Sequence, residues 1–394
     1  MKKKIAVMAV MLCTALLGTA CAGEDTSDKD SVVLDQGEEE SADQTKLNMI
    51  QPQAYSTVEG LKLKKGSYIS IIGKSEDSVY WDEIKRGAED AVDELNEALG
   101  YSGKDKIKVT YNAPSHEGDV DEQINILDEE LDRYPIAVGI AVIDKTACEV
   151  QFDLAMENSI PIVEFDSPSD YQGIMALVST NNQEAGATAA DKMAGMMEEQ
   201  GEVLLFIQDH ISGSAKQREA GMVNQFQTQY PNIQVGGVYY MDELEGLKED
   251  TAAKLEKEAG EITDEEVLRQ IFADHPDAKG CIAANEETAE MVIDACETAE
   301  RDDIRIIGFD GGETLTEALS DGKIDGLIEE EVQALQDGSI YGLVAQNPYG
   351  MGYAAIVASA RSILDMGNEA NVDTGYAWVT QDNMEETAIK NMLY

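Results

Sequence analysis

From Ser67 onward, short apolar runs alternate with longer stretches whose apolar residues recur at helical spacing. Apolar runs of roughly four to eight residues are typical of buried strands, and recurrence every three or four residues is typical of helices packed on a sheet. The predicted strands cover residues 68–73, 107–111, 137–142, 161–165, 175–178, 203–207, 233–239, 280–284 and 304–309. The predicted helices cover residues 80–99, 120–131, 147–158, 184–199, 215–230 and 287–300.

This alternation predicts an α/β fold with doubly wound parallel sheets, because near-continuous apolar strands are buried by helices on both faces. The chain from residue 61 to residue 394 is long enough for two such sheets in two lobes. Two regions depart from the regular pattern. Residues 248–273 are long for one helical crossover and indicate an insertion, and residues 318–328 are echoed by residues 334–344 as a small local duplication.

The start of the chain has the pattern of an export signal. Lys2, Lys3 and Lys4 precede about thirteen apolar residues, a run too short to cross a bilayer as a helix, so residues 1–20 are predicted to be a signal peptide. The small residues before Cys21 resemble the bacterial lipoprotein cleavage site, where the cysteine is lipidated and becomes the new N-terminus. Cleavage near Ala20 without a lipid is the alternative.

The segment after Cys21 is strongly acidic. Residues 24–46 contain nine acidic and two basic residues and no aromatic residue. Such a segment cannot bury enough apolar surface to offset the entropy lost on ordering. We therefore expect residues 21–60 to form a lipidated acidic tether and the folded body to begin at residue 61.

Charge and cysteine content narrow the function classes. The formal net charge is −49, and a chain this acidic is repelled by phosphate backbones, which argues against nucleic acid as a partner. Beyond the signal and Cys21, the cysteines are Cys148, Cys281 and Cys296, which we expect to be buried thiols. A Cys281–Cys296 disulfide is the alternative. No metal site or cofactor is predicted, because the three histidines are scattered along the chain.

Three polar residues, Asp166, Asn285 and Asp310, each follow a predicted strand directly. In open parallel sheets, ligands bind at the carboxyl ends of the strands. These side chains are therefore expected to project into a cleft between two lobes. Carboxylate and amide groups there can hydrogen-bond to hydroxyls that both donate and accept.

Sequence blocks in a fixed order make the chain similar to a known family. It resembles the periplasmic sugar-binding proteins of the ribose/galactose type, whose type I fold is shared with the ligand domains of lactose-repressor-like regulators. The likeness covers about residues 67–394. Its blocks are Tyr80-Trp81 with Lys85-Arg86-Gly87-Ala88, IPIVEFD at 160–166, STNN at 179–182 with Gly186, Arg218-Glu219-Ala220-Gly221, Asn285-Glu286, GFDG at 308–311 and QNPY at 346–349.

The resemblance implies a binding role for four residues of the first lobe. Tyr80 and Trp81 would contact the sugar ring, whose apolar face suits an aromatic side chain, and Ser78 would lie nearby. Asp166 would accept hydrogen bonds from sugar hydroxyls. The alternatives are ordinary core packing for the two rings and a helix cap or turn for the aspartate.

The resemblance implies a matching set in the second lobe. Asp310 would accept hydroxyl hydrogen bonds, and Arg218 would donate hydrogen bonds while compensating the aspartate charges. Asn285 and Gln346 would complete the polar set. The alternatives are a helix cap or turn for Asp310, a turn for Asn285, a surface charge for Arg218 and a linker position for Gln346.

The sequence departs from the family pattern at two places. Ribose binders carry an arginine after the aspartate that matches Asp166, and this chain has Ser167. The aromatic residue of the family's second lobe has no clear counterpart, and Tyr239, Tyr240 and Met241 are the candidates. These departures affect the identity of the sugar rather than the class of ligand.

The resemblance also implies how the chain divides. Residues 61–180 and 347–376 would form the N-terminal lobe, and residues 181–346 and 377–394 the C-terminal lobe. Crossings at Asn181-Asn182, at Gln346-Asn347 and near residues 375–378 would form a three-strand hinge. A ligand that contacts both lobes would favour a closed arrangement.

The function implied is that of a monomeric extracellular receptor that captures a monosaccharide or polyol and delivers it to an ABC permease. A sugar-sensing receptor for a membrane kinase or chemoreceptor is the alternative, because both would use the same closed form. A glycosidase needs paired carboxylates, one of them protonated, and an arginine beside Asp166 and Asp310 is expected to keep both ionised. A DNA-binding regulator is excluded, since the export signal occupies the start of the chain.

Overall fold

The computed structural model describes residues 41–76, 78–301, 303–321 and 340–394. The predicted signal peptide, Cys21, residues 22–40 of the predicted tether and the centre of the predicted repeat lie outside the described residues. No helix within the described ranges is both long enough and apolar enough to cross a membrane.

The first lobe is built on a sheet of six parallel strands in the order β11-β5-β4-β3-β1-β2. Five of its strands come from the first half of the chain and β11 returns from near the end. They are β1 (Tyr68–Ile72), β2 (Lys108–Asn112), β3 (Ala137–Ile140), β4 (Ile162–Phe165), β5 (Leu177–Ser179) and β11 (Asn371–Asp373).

The second lobe repeats this arrangement in the order β12-β10-β9-β8-β6-β7. Its edge strand β12 runs antiparallel to β10, and the other pairs are parallel. The strands are β6 (Gly201–Ile207), β7 (Ile233–Tyr240), β8 (Ala278–Ala283), β9 (Arg305–Phe309), β10 (Ile340–Gln346) and β12 (Tyr376–Val379).

Helices join these strands and cover the sheets. They are α1 (Ala42–Asn48), α2 (Val79–Leu99), α3 (Val120–Asp132), α4 (Glu149–Glu157), α5 (Asn182–Met196), α6 (Gly213–Gln229), α7 (Leu244–Leu255), α8 (Asp264–Asp274), α9 (Glu286–Thr298), α10 (Glu313–Asp321), α11 (Pro348–Ile363) and α12 (Thr387–Lys390). The predicted class, two doubly wound parallel-sheet lobes, is confirmed. The long region between β7 and β8 contains two helices, α7 and α8, because Thr263 caps a new helix start.

The chain passes between the sheets three times. It leaves the first sheet after β5 and enters α5, returns between β10 and α11, and crosses again between β11 and β12. The third crossing lies at Thr374-Gly375, because Tyr376 already belongs to β12 of the second sheet. The side-chain amide of Asn347 ties the last two crossings together by donating to the Thr374 carbonyl at 2.9 Å.

The prediction that residues 21–60 form a tether is wrong for residues 41–60. Leu47, Ile50, Tyr55 and Val58 are buried in the core of the first lobe, so this part of the segment offsets its ordering entropy by apolar burial. Ser41 caps α1, and the buried Lys46 pairs with Glu83 at 2.7 Å. The acidic composition of residues 24–46 led to the tether prediction, although buried apolar residues begin at Leu47.

Residues 46–51 also pack on the hinge. The Lys46 carbonyl accepts a hydrogen bond from Asn347 at 2.7 Å. Gln51 forms an isolated bridge with Asp373, next to the third crossing, and Met49 lies against Gly375 of the same crossing. Residues 41–60 of the segment predicted to be a tether are therefore part of the folded body, and residues 46–51 contact two of the three crossings.

Candidate functional site

Two aspartates occupy equivalent positions in the two lobes. Asp166 follows β4 and Asp310 follows β9, which is the fourth strand of each sheet in chain order. Both have a positive φ, 56° and 78°, a backbone conformation that aspartate tolerates better than most residues. Both are buried. The predicted strand-end aspartates thus lie where each sheet presents its carboxyl edge.

In the first lobe, the carboxylate of Asp166 has two partners. The Tyr80 hydroxyl donates to Oδ1 at 2.7 Å, and the ammonium of Lys74 lies 3.4 Å from Oδ2. Burial, and then the charges of Asp166 and Asp310, raise the pKa of Tyr80 well above its ordinary value, so the phenol stays protonated and donates. Lys74 supplies the positive charge beside the aspartate that the family resemblance placed at position 167.

In the second lobe, Asp310 is held by hydrogen bonds. The Gln346 amide donates to Oδ1 at 2.5 Å, and the Glu286 backbone N–H donates to Oδ2 at 3.2 Å. That Arg218 keeps Asp310 ionised stays a prediction. Burial is the largest effect and raises the pKa of Asp310, although Arg218 and Gln346 act in the opposite direction.

Arg218 is buried and fixed in the second lobe. Its Nε donates to Asn182 Oδ1 at 2.8 Å, a terminal nitrogen donates to the Ala284 carbonyl, and the guanidinium lies over the Phe309 ring at 4.7 Å. Close contact between α5 and α6 makes this possible. A Cβ on Gly186 would lie 2.3 Å from the Arg218 carbonyl oxygen, so only glycine allows the two helices to approach this closely.

The remaining predicted residues differ in how they face the cleft. Asn285 caps α9, with its side-chain oxygen accepting from the Thr288 N–H at 3.1 Å, so its amide N–H groups are what it can offer a ligand. Trp81 is buried in the core of the first lobe, with its ring edge-on to Tyr80 and Phe165. Ser78 is half-buried at the start of α2.

Neither of the two tyrosines proposed as the second-lobe aromatic shows a cleft contact. Tyr239 stacks on Phe206 with ring centroids 5.6 Å apart, and its hydroxyl pairs with His275 at 2.7 Å. The Tyr240 hydroxyl donates to Glu219 at 2.9 Å. Met241 packs against the core on the same side as Tyr239. The contacts of all three lie inside the second lobe.

The two lobes touch across the cleft. The Ser214 N–H of α6 points to the hydroxyl of Ser167 at 3.4 Å, and the Lys145 N–H points to the Ile211 carbonyl at the same distance. Gly213 packs so tightly on Pro168 that a Cβ would lie 2.5 Å from the proline carbonyl oxygen. Ser167, which replaces the family's arginine, therefore takes part in contact between the lobes.

Comparison with known proteins agrees with this architecture. Residues 69–329 match the family model described as "Periplasmic binding protein domain", which is well over half of the chain. The chain belongs to this periplasmic binding protein family.

Named relatives of this periplasmic binding protein chain include ribose and apiose binders. It is 22% identical over 177 residues to the ribose import binding protein of Escherichia coli, covering 45% of this chain and 54% of that protein. The match thus spans about half the length of this relative. It is 24% identical over 255 residues to the D-apiose import binding protein of Paraburkholderia graminis, covering 64% of this chain and 72% of that protein.

A solved structure extends the likeness to both lobes of the periplasmic binding protein. A carbohydrate transporter solute binding protein from Agrobacterium radiobacter, in complex with D-arabinose, superposes with a TM-score of 0.65 and 27% identity. The superposition covers 83% of this chain and 99% of that one.

Seven buried side-chain atoms of this periplasmic binding protein lack a hydrogen-bond partner within the described ranges. Three of them, Gln346 Oε1, Asn182 Nδ2 and Gln208 Oε1, belong to the second lobe, and the other four are hydroxyl oxygens of Ser70, Thr180, Ser359 and Thr374. Gln346 also binds Asp310, Asn182 also binds Arg218, and Gln208 directly follows β6. A buried polar atom without a partner costs about 1–3 kcal/mol.

Sequence reasoning missed Lys74, Gln208 and Asn182. Lys74 and Gln208 lie just beyond the ends of β1 and β6, so the strand-end argument applied to Asp166 could also have found them. Asn182 was considered only as a hinge residue.

Two further features of this periplasmic binding protein are its cysteines and its potential metal ligands. Cys148, Cys281 and Cys296 are free, buried thiols, so the alternative of a Cys281–Cys296 disulfide is wrong in this structure. The described part of the chain contains no cluster of three or more histidine, cysteine or acidic residues that could hold a metal ion.

Proposed function

We propose that the protein is an exported receptor that binds a monosaccharide or related polyol between its lobes and delivers it to an ABC permease. The observation that carries this proposal is the unpartnered Gln346 Oε1 beside Asp310, in a cleft whose other wall holds Asp166. An unpaired acceptor needs a donor, and hydroxyl groups provide one. The ribose, apiose and arabinose binders to which the chain is similar support the choice of sugars.

The charge of the cleft favours a neutral ligand. Asp166, Asp310 and Glu286 provide three carboxyl groups, and Lys74 and Arg218 provide two cations. Because the pKa values of Asp310 and Glu286 are raised, the local charges nearly balance, and it is the net charge of the whole chain, −49, that repels a phosphate or carboxylate on the ligand. We therefore propose that neutral sugars bind and that their phosphorylated or oxidised forms do not.

Thermal unfolding with a ligand panel tests this proposal. The panel contains D-ribose, D-arabinose, hexoses, xylitol and nucleosides, with ribose 5-phosphate as the matched charged control. A sugar present at a hundred times its Kd stabilises the folded state by about 2.7 kcal/mol and raises the melting temperature. No shift with any neutral compound, or a larger shift with ribose 5-phosphate than with ribose, contradicts the proposal.

We propose a binding protein rather than an enzyme. Burial raises the pKa of Asp310 in the direction that a glycosidase acid needs, so charge does not decide between the two classes. Membership of a family of binding proteins supports the receptor. Incubation with nitrophenyl glycosides of the sugars that bind should release no nitrophenol above the rate seen with the Asp310→Asn variant.

We also propose that a lipid on Cys21 anchors the mature chain to the outer face of the cytoplasmic membrane, with the chain monomeric. The support is the sequence around Cys21. Cys21→Ala should release the protein into the soluble fraction, whereas Cys13→Ala, inside the predicted signal peptide, should leave it membrane-bound. An unmodified mature N-terminus by intact-mass measurement contradicts the anchor.

A further inference from the structure

The segment after β12 brings one more side chain to the cleft. The ring of Tyr394 lies edge-to-face with Tyr80 of the first lobe, with ring centroids 6.1 Å apart. Its backbone N–H donates to the Gly311 carbonyl at 3.1 Å, and the Gly311 N–H points to its hydroxyl at 3.2 Å. Tyr394 is half-buried. Its contacts connect the first-lobe tyrosine with the residue that follows Asp310.

Packing in the second lobe holds Tyr394 in place. The neighbouring residues Met392 and Leu393 pack in the second-lobe core. A Cβ on Gly311 would lie 3.1 Å from Leu393 Cδ2 and 3.3 Å from Ala345 Cβ, so glycine at 311 allows the segment to approach closely. The second lobe therefore holds the backbone of this segment, and the side chain of Tyr394 packs against the first-lobe core.

The charged groups near Asp310 act on the hydroxyl of Tyr394. Burial, and then the charges of Asp310 and Glu286, raise the pKa of Tyr394, while Arg218 lowers it. Its hydroxyl stays protonated at neutral pH. Tyr394 is thus an aromatic side chain at the cleft whose segment packs in the second lobe and whose own side chain packs against the first-lobe core, whereas the contacts of Tyr239 and Tyr240 lie inside the second lobe.

We propose that Tyr394 is a specificity-determining residue of the sugar site. Its ring and that of Tyr80 form an edge-to-face corner against which the apolar face of a cyclic sugar packs. This inference rests on the proposed function and adds a selectivity to it. Aromatic rings gain most from flat, rigid apolar faces, so the corner favours cyclic sugars over open-chain polyols such as xylitol.

Calorimetric titration of Tyr394→Leu and Tyr394→Phe with D-ribose, D-arabinose and xylitol tests the proposal. Leucine keeps the apolar bulk but has no flat face, so affinity for the cyclic sugar that the parent binds best should fall about tenfold, with a smaller loss for xylitol. Phenylalanine should stay within about threefold of the parent for all three ligands. Tyr240→Phe, which removes a hydroxyl elsewhere in the same lobe, is the control and should bind as the parent does.

The result separates this inference from the proposed function. If the parent binds sugar and Asp310→Ala does not, but Tyr394→Leu binds as tightly as the parent or more tightly, only the role of Tyr394 is overturned. An equal loss for the cyclic sugar and xylitol also overturns it, because a purely structural role would lower both. If the parent binds none of the ligands, the proposed function fails and the inference fails with it.

Discussion

The two halves of the cleft share one strand order but differ in the side chains that surround the aspartate. Each sheet has the same strand order and places an aspartate after its fourth strand, Asp166 in the first lobe and Asp310 in the second. Just beyond the first strand of each sheet, however, the first lobe has Lys74 and the second has Gln208. The charge of Asp166 is thereby paired within its own lobe.

In the second half, no lysine among the described residues is paired with the aspartate at short distance. Asp310 receives its hydrogen bonds from an amide and a backbone N–H, its pKa is raised, and unpartnered atoms of Gln346, Asn182 and Gln208 lie in the same lobe. We propose that the first half is preassembled around the Asp166–Lys74 pair, whereas the second half gains hydrogen bonds from a ligand. The following predictions test that contrast.

The largest expected effect is on sugar binding by variants of the second half. Asp310→Ala and Arg218→Ala should each weaken binding by about 2–4 kcal/mol, because their buried partners and the sugar hydroxyls lose hydrogen bonds. Calorimetry measures the change, with circular dichroism to verify the fold. Asp303→Ala, an exposed carboxylate paired with Arg301 in the same lobe, is the control. Parent-like affinity in both cleft variants would place the site elsewhere.

A matched pair of substitutions compares the two aspartates directly. Asp166→Asn leaves the buried Lys74 without its counter-charge and should lower the free energy of unfolding at pH 7 by about 2 kcal/mol. Burial raises the pKa of Asp310, so Asp310→Asn removes a charge that burial disfavours, and the free energy of unfolding should fall by less than in Asp166→Asn or should rise. Denaturant unfolding measures both. Equal losses in the two variants would remove the contrast between the halves.

Each half also has a glutamate whose pKa is raised to about 7, chiefly by burial: Glu164 in β4 and Glu286 beside Asp310. Folded chains then hold protons that unfolded chains release above pH ~4.5, so these groups favour folding at low pH and lose that contribution as pH rises through 7. Between pH 5 and 8 the contribution is about 1–3 kcal/mol for Glu164, and about 1 kcal/mol for the partly exposed Glu286.

Unfolding free energies of Glu164→Gln and Glu286→Gln at pH 5 and pH 8 measure these contributions as differences from the parent. Each glutamine should make stability fall less with pH, and Glu164→Gln should have the larger effect. A fall as steep as that of the parent in both variants would contradict the raised pKa values.

Local pattern predicted β1 to β9 because buried parallel strands are short, apolar and regularly spaced, but the list of predicted strands ends before β10, β11 and β12. The same argument predicted Asp166 and Asp310, since the residue after a strand must lie at the sheet edge. Two features resist prediction from local pattern. Tyr394 reaches the cleft only because its segment packs on the second-lobe core, and residues 41–58 fold only because a core built from distant segments receives their apolar side chains.

The central claim is that one sugar hydrogen-bonds to residues of both lobes at once and so favours their closed arrangement. Small-angle X-ray scattering of a chain that begins at residue 41, which keeps the core residues before 58, tests it most directly. Adding the panel sugar of highest affinity should reduce the radius of gyration, and Asp310→Ala at the same sugar concentration should show no reduction. Tight binding by the parent with an unchanged radius of gyration would contradict the account.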